Sequence, residues 1–204
     1  MQIIVRAKRF SWIPILIALN AAVYFLWFVV DDFVMLNNFT VSWQSLQEQR
    51  YWVLLSAAFS HNILIHILIN MLVLKSFGGI IEDTLGAWTF IRFYLVAAVM
   101  SSIAHASISA FLVGEPAMPA LGASGAIAGV ILLFSMLYPR EKILILGLIP
   151  VPAFFGAVAF IGLDIWGLTA QAGGGGLPIG HGAHLGGSLT GIVYFLILRR
   201  RRVY

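Results

Sequence analysis

Six long runs of apolar, uncharged residues constrain this chain more than any other feature of its sequence. A helix needs roughly 20 mostly apolar residues to cross the hydrocarbon core of a bilayer. Only 10% of the 204 residues are charged, against about 25% in soluble domains. We therefore expect an all-α polytopic membrane protein, with a single domain over residues 1–204. Its six transmembrane helices are predicted at about residues 11–30, 53–74, 92–113, 122–138, 143–164 and 181–198.

The charges predict how these helices are oriented. If the N-terminus is cytoplasmic, Arg50 is the only one of the twelve basic residues that falls on the outer side. Cytoplasmic loops of membrane proteins are rich in Lys and Arg, so both termini are expected to be cytoplasmic. The basic run Arg199–Arg202 would anchor the last helix at anionic lipid headgroups. The net charge of +4 therefore indicates contact with the lipid bilayer, and we expect no nucleic-acid partner.

Two loops stand out between the predicted helices. The outer loop Asp31–Arg50 mixes Trp43 with polar residues, which is typical of short helices at a membrane interface. The glycine run Gly173–Gly176 lies in the predicted loop between the fifth and sixth helices. That run is either a plain connector or a mobile cap over a site, with the fifth helix as a lateral gate.

All five histidines lie within or at the edges of the predicted helices. Ionisable groups in hydrocarbon are costly and are candidates for function. Asn62, His66 and Asn70 are spaced four residues apart and would share one helix face. They either form hydrogen bonds between helices or line a functional site. The other two histidines of the first three helices, His61 and His105, are expected to brace a loop and to join helix packing.

Metal binding is another use of clustered histidines, but the sequence does not favour it. A zinc site takes three or four His, Cys, Asp or Glu ligands. The chain has no cysteine and no HExxH motif, and no carboxylate lies near the histidines in sequence. We therefore predict neither a metal nor a cofactor.

Ser124 lies in the segment Gly122-Ala123-Ser124-Gly125, at the start of the fourth predicted helix. A serine at this position could simply cap the helix. Alternatively, the unpaired N–H groups of the first turn could hold an oxyanion while the hydroxyl attacks a carbonyl.

Glycines indicate which helix packs against that serine. His184, Gly187 and Gly191 share one face of the sixth predicted helix, and the fourth carries Gly125 and Gly129. Small residues spaced by four let membrane helices approach closely. Ser124 and His184 would then lie at the same depth, within the hydrogen-bond reach of about 2.6–3.2 Å that nucleophile and base need.

No acid is expected to complete this pair. Asp164 is the nearest acidic residue, but it is separated from His184 by a long loop. A Ser–His dyad without an orienting carboxylate should be a slow catalyst.

Together these motifs resemble the rhomboid family of intramembrane serine proteases. The matching pieces are His61-x4-His66-x3-Asn70, Gly122-Ala123-Ser124-Gly125 and Ala183-His184-Leu-Gly-Gly-x3-Gly191. The resemblance implies a six-helix core and cleavage of transmembrane protein substrates near the outer membrane face. It implies Ser124 as nucleophile, His184 as general base, and an oxyanion hole made by His66, Asn70 and the Ser124 N–H.

The sequence departs from the family pattern at two positions. The Trp-Arg pair common in the first outer loop is Trp52-Val53 here, with Arg50 just upstream. Some members have a tyrosine that stacks on the base, and this chain has Ala128 at that position. What braces the outer loop and what orients His184 are therefore open at this point.

Two other functions remain open. The chain could be a catalytically inactive relative that binds membrane clients, or a small transporter or channel with a histidine proton relay. A prokaryotic plasma membrane is the expected location, since no transit peptide is evident. Nothing in the sequence indicates the oligomeric state.

Overall fold

Six apolar helices build the part of the chain that the computed structural model describes, residues 10–145 and 148–201. Four are long and apolar enough to cross a membrane: Leu64–Leu85, Ala87–Val113, Ala153–Ala172 and His181–Arg200. Two shorter apolar helices, Ile13–Leu26 and Ser124–Leu137, complete the set. The prediction of an all-α polytopic membrane protein is confirmed. Of the basic residues used to orient it, Arg6, Lys8, Arg9 and Arg202 lie outside the described residues.

Helix α1 (Ile13–Leu26) is followed by three short helices, two of them within the outer loop. These are α2 (Asp32–Phe39), α3 (Trp43–Gln47) and α4 (Val53–Ser56). Asp31 caps α2 by accepting a hydrogen bond from the Phe33 N–H. Ser42 and Ser45 form a reciprocal capping box on α3. Short polar caps thus convert the mixed loop into the helical segments that its sequence predicts.

Arg50 braces this outer loop in place of the missing Trp-Arg pair. Its Nη1 donates to the Asn37 carbonyl oxygen at 2.9 Å and to Asn37 Oδ1 at 2.6 Å. Its Nη2 pairs with Glu48 Oε2 at 2.6 Å. A hydrogen bond from Gln44, together with the bond from Arg50, lowers the pKa of the Glu48 carboxyl. One cation therefore ties α2 to the segment after α3.

The second of the six apolar helices begins eleven residues later than its predicted start at residue 53. It runs from α5 (Leu64–Val73) through a π-helical turn (Leu74–Gly78) into α6 (Gly79–Leu85). The polar residues before it make tertiary bonds instead of helical ones. The Ser60 hydroxyl accepts from Trp27 Nε1 at 2.9 Å, and His61 Nε2 accepts from the Ala123 N–H at 3.3 Å.

The fifth of the six apolar helices begins ten residues later than its predicted start at residue 143. Two strands, β1 (Lys142–Ile145) and β2 (Ile149–Pro152), pair antiparallel before it. Helix α9 (Ala153–Ala172) follows them. Pro150 and Pro152 explain the difference, because proline cannot donate within a helix and restricts the residue before it to extended backbone. This shift places Asp164 inside α9 instead of at its end.

The remaining three helices form the centre of the bundle. They are α7 (Ala87–Ile108, continued by a π-helical segment Ser109–Val113), α8 (Ser124–Leu137) and α10 (His181–Arg201). Helices α8 and α10 approach so closely that a side chain at Gly187 would overlap the Gly125 carbonyl oxygen. A side chain at Gly191 would likewise overlap the Gly129 carbonyl oxygen. The glycine faces predicted from sequence are therefore in direct backbone contact.

Candidate active site

Ser124 is the first residue of α8, and the loop before it is held from three sides. Val41 and Ala120 form an isolated antiparallel bridge. The Gly122 N–H donates to the Ala57 carbonyl oxygen at 2.9 Å. Gly122 has φ +121°, and a Cβ there would lie 2.7 Å from Cε1 of His66. Only glycine satisfies both the backbone angle and this close approach.

Ser124 and His184 are within hydrogen-bond distance, as the glycine spacing predicts. Ser124 Oγ lies 2.9 Å from His184 Nε2. The residues belong to the first turns of α8 and α10, the two helices whose backbones touch. Close helix packing and the serine–histidine contact are therefore one feature of the fold.

An acid does reach His184, and the expectation of a bare dyad differs from the structure here. Asp164 Oδ1 lies 3.0 Å from His184 Nδ1, and Asp164 is buried. The carboxylate oxygen can only accept, so the imidazole carries its proton on Nδ1 and leaves the Nε2 lone pair for the serine hydroxyl. This is the tautomer that a general base requires. The long loop after α9 folds back and does not separate the two residues.

Two further side chains surround His184, and sequence reasoning assigned a role to neither. The Phe160 ring stacks on the imidazole with centroids 5.5 Å apart and planes at 28°. It lies one helical turn before Asp164 and occupies the stacking role that Ala128 cannot fill. His181 Nδ1 lies 2.8 Å from the same Asp164 oxygen. Because α9 spans Ala153–Ala172, the i, i+4 spacing places Phe160 and Asp164 on one helix face, and this spacing is visible in the sequence.

His66 and Asn70 face the same cavity as Ser124 and His184. The cavity has a volume of about 1330 Å³ and is lined by residues of α5, α7, α8, α9 and α10 and of the loop after α9. Asn70 Nδ2 donates to the His66 carbonyl oxygen at 2.9 Å, leaving its second N–H unused by that bond. Asn62 precedes α5 and is exposed, so it does not share a helix face with His66 and Asn70, but it lines the same cavity.

The two remaining histidines make the structural contacts expected of them. His61 is fully buried and accepts a hydrogen bond from the Ala123 N–H, which fixes the loop that leads to Ser124. His105 is buried in α7, with its Nε2 at 3.1 Å from the Met118 carbonyl oxygen.

One group of side chains in residues 10–145 and 148–201 could offer three metal ligands: Asp164, His181 and His184. The expectation that no carboxylate lies near the histidines holds in sequence but not in space. Asp164 Oδ1 lies 2.8 Å from His181 Nδ1 and 3.0 Å from His184 Nδ1. Ligands of a tetrahedral zinc ion with bonds of about 2.0 Å are roughly 3.3 Å apart. The spacing matches hydrogen bonds through a shared oxygen better than a metal shell.

Comparison with known proteins assigns the family. A family model described as the rhomboid domain matches residues 48–201. The chain belongs to the rhomboid family. A "RHOMBOID-like protein 12, mitochondrial" from Arabidopsis thaliana is 33% identical over 199 residues, covering 92% of this chain and 58% of the relative. "Rhomboid protein 1, mitochondrial" from Saccharomyces cerevisiae is 34% identical, covering 88% of this chain and 51% of the relative.

The same comparison corrects the expected location. "Rhomboid-like protein 16, chloroplastic" from Arabidopsis thaliana is 31% identical, covering 74% of this chain and 51% of the relative. Because these relatives are named as mitochondrial or chloroplastic, the expectation of a prokaryotic plasma membrane is wrong. The multi-pass membrane character of this rhomboid protein is supported. The chain spans about half the length of these curated relatives.

Proposed function

We propose that this rhomboid protein is a serine endopeptidase that cleaves transmembrane segments of other membrane proteins. The observation that carries the proposal is the 2.9 Å contact between Ser124 Oγ and His184 Nε2, within a bundle of apolar helices. A helix-capping role for the serine would not require a histidine aligned on its hydroxyl by a buried carboxylate.

Ser124 and His184 carry out the covalent step. The serine oxygen attacks the scissile carbonyl carbon while Nε2 of His184 takes its proton. The imidazolium then gives that proton to the leaving amine as the C–N bond breaks. A water molecule, deprotonated by the same nitrogen, hydrolyses the acyl-enzyme and regenerates the serine.

Asp164 makes this a triad instead of the dyad expected from the sequence. Its carboxylate holds the Nδ1–H tautomer of His184 and stabilises the positive charge that develops on the ring. Phe160 restricts the ring plane by stacking on it. The base is thereby oriented from its edge and from its face.

The oxyanion is received at the N-terminus of α8. The first N–H groups of a helix have no partner within it and carry partial positive charge, so the Ser124 N–H is a suitable donor. His66 and Asn70 line the cavity beside it, and Asn70 has a second N–H that its bond to the His66 carbonyl oxygen does not use. Such fixed donors act strongly where water is excluded.

Helix lengths favour cleavage below the membrane surface. Helix α8 has 14 residues, or about 21 Å at 1.5 Å per residue, against a hydrocarbon thickness of about 30 Å. With its inner end at the inner boundary, Ser124 lies roughly 9 Å below the outer one. A substrate helix would enter between α5 and α9, which both line the cavity, and must unwind there.

The loop after α9 lines the cavity and is held in place by hydrogen bonds from one side chain. Gln171 Nε2 donates to the carbonyl oxygens of Leu177 and Ile179 at 2.8 Å each. Gly174–Gly176 line the cavity within this loop. Moving this loop away from the cavity therefore requires the release of two hydrogen bonds, which suits a segment that closes over substrate.

The test is cleavage of a single-span substrate reconstituted with the protein in liposomes. The parent should produce two fragments, whereas Ser124→Ala and His184→Ala should not, at equal folded amounts. Cleavage by both variants at the parental rate would refute the proposal. A proton relay or a client-binding protein without activity would instead leave the substrate intact with every variant.

A further inference from the structure

We propose that His181 is a positioning residue that acts on the reaction through Asp164. Its Nδ1–H fixes the carboxylate oxygen on which the base His184 depends. This inference rests on the proposed protease function and extends it to a residue that touches neither the serine nor the substrate.

The geometry connects the three side chains through one oxygen atom. His181 Nδ1 and His184 Nδ1 lie 2.8 and 3.0 Å from the same Asp164 Oδ1. The two rings are nearly perpendicular at 84°, so each points an N–H at that oxygen from its own direction. Asp164 and His181 are only 3% and 7% exposed, which keeps competing water away from this bond.

Helix α9 is shaped to receive the second ring. Gly167 lies one turn after Asp164 on the same face, and a side chain there would overlap the His181 ring at Nε2 and Cε1. The glycine therefore lets the ring reach the carboxylate at short range. A side chain that only filled space would not require a glycine on α9 next to its ring, nor an Nδ1–H directed at Asp164.

A carboxylate held by one donor is less well fixed than one held by two. Asp164 Oδ2 is buried and has no hydrogen-bond partner among the described residues. If His181 were absent, His184 would be the remaining donor, and the carboxyl group could rotate so that Oδ1 moves off the line to His184 Nδ1. His181 removes this freedom, so the Nδ1–H of His184 always faces an oxygen in the position that aims Nε2 at Ser124.

A matched pair of substitutions separates this role from packing. Asn and Leu have almost the same shape, but only His181→Asn offers an N–H near the position of Nδ1. Loss of a hydrogen bond to a charged group predicts that His181→Leu lowers kcat about 10- to 100-fold, with KM unchanged. His181→Asn should stay within about threefold of the parent because it keeps the donor.

A second pair on α9 tests the same bond without changing the histidine. Gly167→Ala should displace the His181 ring and lower kcat as His181→Leu does, with KM again unchanged. Gly162→Ala is the control, since a Cβ there meets nothing within 4 Å. It should leave kcat and KM at parental values.

Nitrogen NMR of ¹⁵N-histidine-labelled protein gives a readout that does not require turnover. In the parent, both histidines should show the Nδ1–H tautomer. In His181→Leu, His184 should lose its single well-defined tautomer, and in His181→Asn it should keep it. Equal kcat for the Leu and Asn variants, or an unchanged His184 signal in the Leu variant, would overturn the proposal. A parent that shows no Ser124-dependent cleavage would instead overturn the protease function itself.

Discussion

At the scale of single residues, Asp164 is the side chain that most changes the chemistry expected of the site. Asp164→Asn keeps the shape but replaces the carboxylate that selects the tautomer of His184. By analogy with other serine hydrolases, kcat should fall about 10²- to 10⁴-fold with little change in KM. Steady-state cleavage in liposomes measures this, with the exposed Asp83→Asn as the control. Parental kcat in Asp164→Asn would mean that the site works as a bare dyad.

Phe160 makes a smaller contribution through its stack on His184. An aromatic pair is worth about 0.5–1.5 kcal/mol beyond the area it buries. Phe160→Leu should therefore reduce kcat roughly 2- to 10-fold, because the imidazole gains freedom to tilt. Phe155→Leu is a suitable control, since Phe155 is 62% exposed on the same helix. The stack has no role in orienting the base if both variants cleave equally well.

At the scale of helices, the sequence predicted contacts better than it predicted helix ends. The spacing of Gly125, Gly129, Gly187 and Gly191 is a local pattern, and it correctly indicated that α8 and α10 touch. The start of α9 was missed because an apolar pair of strands and an apolar helix have the same composition over ten residues. Pro150 and Pro152 were the only sign of the strands. That error placed Asp164 at a helix end and hid both Asp164 and Phe160 as partners of His184.

The glycine contact also makes a stability prediction. Gly187→Ala places a methyl group against the Gly125 carbonyl oxygen, so α8 and α10 must separate. Overpacking of this kind costs about 1–3 kcal/mol of unfolding free energy. Gly79→Ala meets nothing within 4 Å and should be neutral or slightly stabilising. Reversible unfolding in detergent compares the two. Equal stability of both variants would show that the helices adjust freely at this contact.

At the scale of the whole molecule, the positions and lengths of the apolar runs predicted six apolar helices, and the motifs predicted which of them meet. Ser124, His184, His66 and Asn70 come from three helices and face one cavity. The sequence pattern could not show that the loop after α9 folds back, because that depends on tertiary contacts such as those of Gln171. The location was predicted wrongly because it was based on the lack of an evident transit peptide, and the helix pattern itself does not distinguish one bilayer from another.

The proposed chemistry requires that Ser124 is a nucleophile activated inside this bundle. The most direct measurement is to treat the intact protein in liposomes with a fluorophosphonate and locate the adduct by mass spectrometry. We predict a single adduct on Ser124 that His184→Ala abolishes. An adduct on another serine, or no adduct on correctly folded protein that cleaves its substrate, would contradict the account.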